Sequence, residues 1–281
     1  MDAAASVAAA ATLQRANGEL LVSVKRRGAD TVLDDLRQSG CLKARFPRPA
    51  TDGWVDVTIL NTSGGIAGGD RLDVSVHVQP GARATITTPA AERFYRTLPD
   101  EPPAVIRNRL HVAAGASAEW LPQETLLFDR CALHRWLDVE LADDAWFLGL
   151  ETLVFGRAAM GEHVRQAWLR DAIRIRRGGR WLLHESVRLD AEVGLVLPRP
   201  AIAGGARALA TLVHVAPDAE AALERVRSAL VDSGVEAGAS AWNRMLLVRI
   251  LAGNAATLRR TVIGVLSVLR DSRPLPRMWL C

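Results

Sequence analysis

Four glycines within six positions are the most distinctive feature of the 281-residue sequence: Gly64, Gly65, Gly68 and Gly69. Glycine-rich loops often hold phosphate groups, because their backbone N–H groups can approach a ligand closely. This segment lacks the Gly-Lys-Ser/Thr ending that brings a lysine to the phosphates, and its spacing does not fit a dinucleotide loop. The segment separates two stretches with strand character, Val55 to Asn61 and Leu72 to Val78. It predicts either a long, bulged hairpin loop or a backbone surface that a partner chain or an ion can approach.

Other residue types with catalytic potential do not form a recognisable pattern. The six histidines are dispersed, without an i, i+4 pair or a paired cysteine motif, so a closed zinc site is not predicted. The carboxylate pairs Asp34-Asp35 and Asp143-Asp144 are typical of turns. No Gly-x-Ser-x-Gly elbow is present. We therefore predict no catalytic residues and do not expect an enzyme.

The composition is that of a globular protein in a reducing compartment. The net charge is +4, and no basic run is interleaved with aromatic residues, so nucleic-acid binding is not expected. Three scattered cysteines do not make a disulfide framework. The alanine-rich start carries Asp2 and no cationic stretch, which is unlike a signal peptide, and no apolar run is long enough to span a membrane. A cytoplasmic protein with a flexible tail over residues 1–14 is expected.

The strands and helices that would position any site are predicted from the spacing of apolar residues. From about Leu20 to Val215 aliphatic residues alternate with polar ones, as in Leu72 to Val78, which predicts strands with one buried face. Turn signals recur every eight to twelve residues, and Gly178-Gly179 is typical of a hairpin turn. An extended antiparallel β body over residues 15–215 is predicted.

The pattern changes after Pro217. Apolar residues with helical spacing predict one helix around Leu223 to Leu230, and Asn254 is a suitable N-cap for a second helix that ends near Arg270. Between them, Met245 to Leu251 is predicted to be a buried strand. The fold class expected is mostly β, with two C-terminal α-helices within residues 217–270. One domain, residues 15–281, accommodates all of these elements.

Five segments, in this order, resemble the UreD (UreH) family of urease accessory proteins. They are Asn61 to Leu72, Thr87 to Arg96, Glu119 to Glu124 with Leu127-Phe128, Gly156 to Glu162, and Val248-Arg249 with the ending Pro276 to Trp279. The resemblance extends over nearly the whole chain after about residue 15. Pro89 and Arg93 depart from the glutamine and lysine usual in the family. Gly40-Cys41-Leu42 replaces the usual Gly-Pro-Leu near the start of the chain.

The resemblance implies a β-helicoidal fold and a cytoplasmic chaperone that takes part in nickel insertion. Such a protein binds apo-urease and the accessory protein UreF, and through UreF it engages UreG, the GTPase that brings nickel. The family is not catalytic, so GTP hydrolysis belongs to the partner. No stably bound cofactor is expected, although nickel can pass transiently.

The same resemblance suggests site residues. Nickel that must be handed on needs weak oxygen ligands, which makes Asp70 and Glu162 candidates for a transit path; each can instead hold its own loop by accepting backbone N–H bonds. Tyr95, Arg96, Arg277 and Trp279 have the side-chain types that dominate protein interfaces. An alternative role for Trp279 is to pack the tail onto the domain. The rival functions are a hydrolase on a β scaffold and a ligand-binding β domain.

Overall fold

The computed structural model describes residues 14–157, 160–231, 233–271 and 273–280. Nearly all of the predicted N-terminal tail, residues 1–13, lies outside the described residues. The described part is dominated by two β-sheets, which confirms the prediction of a mostly β fold.

Seventeen strands can be followed along the described chain. They are β1 (Asn17–Arg27), β2 (Asp30–Gly40), β3 (Leu42–Arg45), β4 (Val55–Asn61), β5 (Arg71–Val78), β6 (Arg83–Thr87), β7 (Glu92–Phe94), β8 (Ala104–Val112), β9 (Ser117–Leu121), β10 (Thr125–Leu127), β11 (Cys131–Leu141), β12 (Trp146–Phe155), β13 (Ala167–Arg177), β14 (Arg180–Ala191), β15 (Ala208–Val215), β16 (Glu236–Trp242) and β17 (Met245–Ala252). Sheet A has the order β14-β13-β11-β8-β5-β1-β2. Sheet B has the order β16-β17-β15-β12-β9-β6-β4-β3. In addition, β10 pairs with β12, and β7 pairs with β10.

The middle of the chain winds between the two sheets as a helicoid. Strands β5, β8, β11 and β13 lie side by side in sheet A, while the intervening β6, β9 and β12 lie side by side in sheet B. Because each coil crosses to the other sheet and returns in the same direction, neighbouring strands are parallel. The predicted antiparallel pairing is therefore wrong for the centre of both sheets. It holds for other pairs, including β1–β2, β12–β15 and β13–β14.

Two turns predicted from glycine have different outcomes. Gly178-Gly179 joins β13 to β14, with Arg177 opposite Arg180, so this hairpin is confirmed. The glycine-rich segment after Asn61 is not a hairpin, because β4 lies in sheet B and β5 in sheet A. It is a crossover between the two sheets. The alternation of apolar and polar residues in the flanking strands does not show whether those strands belong to the same sheet.

Two hydrophobic cores hold the layers together. The first lies between the sheets and contains side chains from both of them, such as Val76 and Val57. The second lies between the other face of sheet B and the helices, where Leu212 and Val248 pack with Val265. Sheet B is thus covered on both faces. This explains why its central strands contain runs of consecutive apolar residues and do not simply alternate apolar with polar ones.

The predicted C-terminal elements are present. The helices are α1 (Val193–Val196), α2 (Leu223–Val231) and α3 (Ala255–Leu269); the short α1 was not predicted. The Asn254 side chain accepts a hydrogen bond of 2.9 Å from the Thr257 N–H, which confirms the N-cap of α3. The predicted strand from Met245 is β17. None of the helices in the described part of the chain is both long enough and apolar enough to cross a membrane.

Candidate functional site

The glycine-rich crossover packs directly against the segment that follows β6. Ile66 N–H donates to the Arg93 carbonyl at 2.8 Å, and Tyr95 N–H donates to the Ile66 carbonyl at 2.8 Å. A Cβ atom on Gly68 would lie only 2.3 Å from Thr97 Cγ2, so the close approach requires glycine. Two segments that are more than twenty residues apart in the sequence therefore form one surface.

Tyr95 connects this surface to two further segments of the resemblance. Its hydroxyl donates to the Gly64 carbonyl at 3.3 Å, and its ring meets Phe128 edge to face, with centroids 5.4 Å apart. The Arg157 guanidinium lies 4.2 Å from the centre of the Phe128 ring and donates through Nε to Glu162 Oε2 at 2.7 Å. We call this continuous set of contacts, from Gly64 to Glu162, the motif surface.

Asp70 holds the glycine crossover in place. Its side chain is buried, Oδ1 accepts the Ala16 N–H at 2.7 Å and Oδ2 accepts the Ala67 N–H at 2.8 Å. Both carboxylate oxygens therefore have backbone partners. This is the loop-holding arrangement that was one of the two alternatives for Asp70.

Glu162 connects its own loop to the loop that precedes β11. Oε1 accepts the Asp129 N–H at 3.4 Å, while Oε2 accepts Arg157 Nε. Asp70 and Glu162 have no hydrogen-bond partner in common. Over the described residues, no group of three His, Cys, Asp or Glu side chains is placed to hold a metal ion.

A cavity of about 130 Å³ lies between the sheets and is lined partly by polar side chains. Asn61 donates to Glu92 Oε2 at 3.1 Å there, and burial raises the pKa of Glu92. Ile66 of the glycine crossover also lines the cavity. Arg135 and Glu151 line it as well, so the motif surface and the interior of the β body border the same space.

Arg135, Glu151 and Asp171 form a buried ionic cluster beside this cavity. Arg135 binds Asp171 through two hydrogen bonds of 2.8 and 2.7 Å, and donates to Thr125 Oγ1 at 2.8 Å. Glu151 Oε2 lies 2.8 Å from Arg135 Nη1, but the angle leaves it without a well-directed hydrogen bond. Trp120 Nε1 donates to Glu151 Oε1 at 2.9 Å.

One guanidinium thus faces two carboxylates, so the cluster has an excess negative charge if both acids are ionised. Burial raises the pKa of Glu151 to about 7, against the attraction of Arg135. A proton on Glu151 neutralises this excess. The sequence analysis missed this cluster, although a signal existed: Arg135 shares its alternating face with Leu133 and Leu137, which are buried.

The C-terminal segment is fastened to sheet B by Trp279. The ring is 4 % exposed, and its Nε1 donates to the Leu121 carbonyl at 3.0 Å. Arg259 of α3 lies 4.7 Å from the ring centre and donates to the Trp279 carbonyl at 3.0 Å. Gln123 donates to the Met278 carbonyl at 2.9 Å. Trp279 therefore packs the tail, whereas Arg277 beside it is exposed.

Glu119 provides a second anchor for the region that precedes the tail. It is fully buried and accepts two hydrogen bonds from Arg270, at 2.9 and 3.0 Å, and one from Arg273 at 2.9 Å. Thr85 Oγ1 donates to it at 2.7 Å. The third segment of the resemblance, which contains Glu119, is thereby tied to the end of the chain.

The partner-contact residues predicted from the sequence thus differ in accessibility. Tyr95 and Arg96 are exposed and adjoin the glycine crossover, and Arg277 is exposed on the tail. The four glycines are brought next to Tyr95 and Thr97, while the tail residues lie on sheet B with Gln123. An exposed surface at Tyr95 and Arg96 and an interior ionic cluster are thus present in the same β body.

Fold and site together define a β scaffold in which charged side chains mainly hold loops, tail and sheets in place. Comparison with known proteins identifies the family. The family model described as "UreD urease accessory protein" matches residues 16–280. The chain is 48% identical over 272 residues to urease accessory protein UreD 2 of Methylorubrum populi, with 95% of this chain and 91% of that protein covered. It is 45% identical over 275 residues to UreD of Xanthobacter autotrophicus, with 98% and 93% covered. The chain belongs to the UreD family of urease accessory proteins.

Proposed function

We propose that this chain is a cytoplasmic, non-enzymatic scaffold that assists nickel delivery to urease. It binds apo-urease and UreF, and it engages the GTPase UreG through UreF. The observation that carries the proposal is the match to the UreD family over residues 16–280. Relatives named as accessory proteins favour a scaffold over a β-scaffold hydrolase or a ligand-binding domain.

Nickel is the cargo of this scaffold rather than a resident cofactor. The buried cluster of Arg135, Glu151 and Asp171 supports passage of a cation, because it places two carboxylates beside a cavity with a single guanidinium to balance them when both are ionised. A carboxylate already paired with arginine is a weak ligand for a metal ion, and weak sites allow the ion to leave. Asp70 and Glu162 remain proposed members of the path, with loop holding as the alternative role of each.

Partner contact is assigned to the exposed residues near the motif surface and on the tail. Tyr95 and Arg96 are exposed beside the glycine crossover, and aromatic and arginine side chains dominate interfaces. Arg277 extends this assignment to the tail. Trp279 supports it indirectly, by fixing the segment that presents Arg277.

The function is tested in cells that express urease and its other accessory proteins but lack this chain. Supplying the gene is expected to restore urease activity and the nickel content of purified urease, and tagged chain is expected to capture UreF and apo-urease. Unrestored urease with a well-folded, abundant chain would overturn the proposal. Replacing Asp70 or Glu162 by Ala tests the path, since full activation with normal complex formation would exclude that residue from it.

A further inference from the structure

A second cavity, of about 670 Å³, opens on the outer face of sheet A. Side chains of β11 and β13 line one part of it and the loop 96–103 lines another. Cys131 and Leu133 point into the core, so the alternating His134 faces outward, as does Arg170 opposite it on β13. We call this cavity the arginine pocket, after Arg96, Arg130 and Arg170. It is distinct from the cavity between the sheets.

The arginine pocket carries uncompensated positive charge. Arg96 and Arg170 form no ion pair with a described carboxylate, and Arg130 lies 4.0 Å from Asp129 Oδ2, at the limit of ion pairing. The two carboxylates that line the pocket are already engaged: Glu101 pairs with Arg15, and Asp190 pairs with Arg188. Arg96 and Arg170 thus line the pocket without a carboxylate partner from the described chain, and Arg130 has only its long contact with Asp129.

The pocket also has an apolar part. Trp168 is 40% exposed, although tryptophan is usually well buried in a folded domain. Leu98 and Pro99 line the same cavity. Burial, followed by the charge of Arg170, lowers the pKa of His134, so this side chain is neutral at pH 7 and adds a hydrogen-bonding group rather than a charge.

These features fit an acidic peptide better than a single phosphate. The three arginines come from three separate segments: the loop after β7, the turn before β11, and β13 itself. Carboxylates spaced along an extended chain can pair with each of them, and arginine pairs with carboxylates through two parallel hydrogen bonds. An apolar side chain two residues from each carboxylate lies on the same face of the extended chain and can pack on Trp168. The volume is also in the range of pockets that enclose a substantial ligand.

We propose that the arginine pocket binds an acidic, partly apolar segment of a partner protein in extended form. Its carboxylates pair with Arg96 and Arg170, and an apolar side chain between them covers Trp168. The proposal shares Arg96 with the partner contact of the proposed function and is otherwise independent of nickel delivery.

The test uses the full chain and a fluorescently labelled peptide that repeats the sequence Glu-Ser-Leu-Ser, in which glutamate and leucine lie on the same face of an extended chain. Binding is followed by anisotropy. The double variant Arg96→Ala, Arg170→Ala is expected to bind the peptide at least roughly tenfold more weakly, because two charge-assisted pairs are lost. Trp168→Ala is expected to weaken binding severalfold. Arg37→Ala removes an exposed arginine from β2, at the far edge of the same sheet, and is expected to bind like the parent.

Three results would each overturn the proposal. One is equal binding of a matched peptide with glutamine in place of glutamate. Another is parental affinity in the double variant, with thermal unfolding used to establish that each variant is folded. The third is binding of inorganic phosphate at the pocket without binding of the acidic peptide. Because neither nickel nor urease is present, failure of this test leaves the activation experiment in cells to decide the proposed function separately.

Discussion

Tyr95 Cε2 lies 2.3 Å from the position that a Cβ atom on Gly65 would occupy. The glycine is therefore required by a neighbour from another segment as well as by its own backbone, for which φ is +132°. The contact joins the glycine crossover to the aromatic pair of Tyr95 and Phe128. It gives a packing reason for glycine at position 65, independent of any ligand.

Gly65→Ala is expected to lower the free energy of unfolding by about 2–3 kcal/mol, because it combines backbone strain with displacement of Tyr95. Gly64→Ala is the matched control, since Gly64 has a φ of +82° but open space around its missing Cβ. Urea denaturation measures both. Adding Tyr95→Ala to Gly65→Ala should recover part of the loss, and equal destabilisation by the two glycine variants would contradict the steric explanation.

Asp56 should make stability depend on pH. It is 4% exposed, its Oδ2 has no described hydrogen-bond partner, and burial raises its pKa from 3.8 to about 6, with Glu119 adding to the effect. The native state then binds this proton more tightly than the unfolded chain, so stability falls as the pH rises from about 4 to about 6.

Asp56→Asn is expected to flatten that dependence and to be more stable than the parent above pH 6 by on the order of 2 kcal/mol. Urea denaturation across this pH range measures the difference. Asp52→Asn, which alters an exposed carboxyl just before β4, should follow the parent curve. If the stability of Asp56→Asn changed with pH as much as that of the parent, the Asp56 carboxyl would not be the source of the pH dependence.

Arg135→Leu is expected to be strongly destabilising, by about 3–5 kcal/mol, because it leaves Glu151 and Asp171 buried without their cation. Combining it with Glu151→Gln and Asp171→Asn should restore much of the stability. Chemical denaturation of the single and triple variants measures this. A triple variant no more stable than Arg135→Leu would mean that the packing of the arginine, rather than its charge, is what matters.

Glu151→Gln separates stability from the proposed passage of nickel. Burial raises the pKa of Glu151 to about 7, so the parent loses stability as the pH rises toward 7, and the variant should be at least as stable there. Urease activation is nevertheless expected to fall roughly tenfold, as for a changed group around a metal path. Urease activity and nickel content provide the readout. Glu19→Gln, an exposed change on β1, is the control; full activation by Glu151→Gln would exclude this carboxylate from the path.

Trp279→Ala should detach the C-terminal segment, at a cost of about 3–5 kcal/mol for a buried tryptophan with a hydrogen bond. Leu280→Ala changes the adjacent residue, which is 72% exposed, and should cost much less. Under the proposed function, Arg277→Ala should weaken UreF capture with a smaller effect on stability. Denaturation and pull-down together measure these effects; parental stability of Trp279→Ala would contradict the anchoring role.

The local elements were predictable from the sequence because their signals lie within a few residues. The alternation of apolar and polar residues predicted which face of each strand is buried. Gly178-Gly179 predicted the hairpin, and Asn254 predicted the start of α3. The buried strand β17 between the helices was likewise predicted from an apolar run. Each of these signals depends on backbone period or turn chemistry, which a single sequence contains.

The arrangement of the candidate site was less accessible to prediction. The motif segments could be found, but their meeting through Tyr95, Phe128 and Arg157 depends on long-range packing. Burial of Trp279 distinguished tail packing from an exposed ring, a choice that its residue type leaves open. Asp70 could be found as part of a motif, whereas its two backbone partners depend on how the loop closes.

By itself, then, the sequence determined a mostly β chain, the faces of its strands, its C-terminal helices and its membership of a family. The tertiary structure alone decided that β5 and β8 pair in parallel, that the glycine segment crosses between sheets, and that Arg135 faces two carboxylates. The physical reason is that alternation determines which side of a strand is buried but not which strand lies beside it. Pairing partners and buried charges are settled by contacts between residues far apart in the chain.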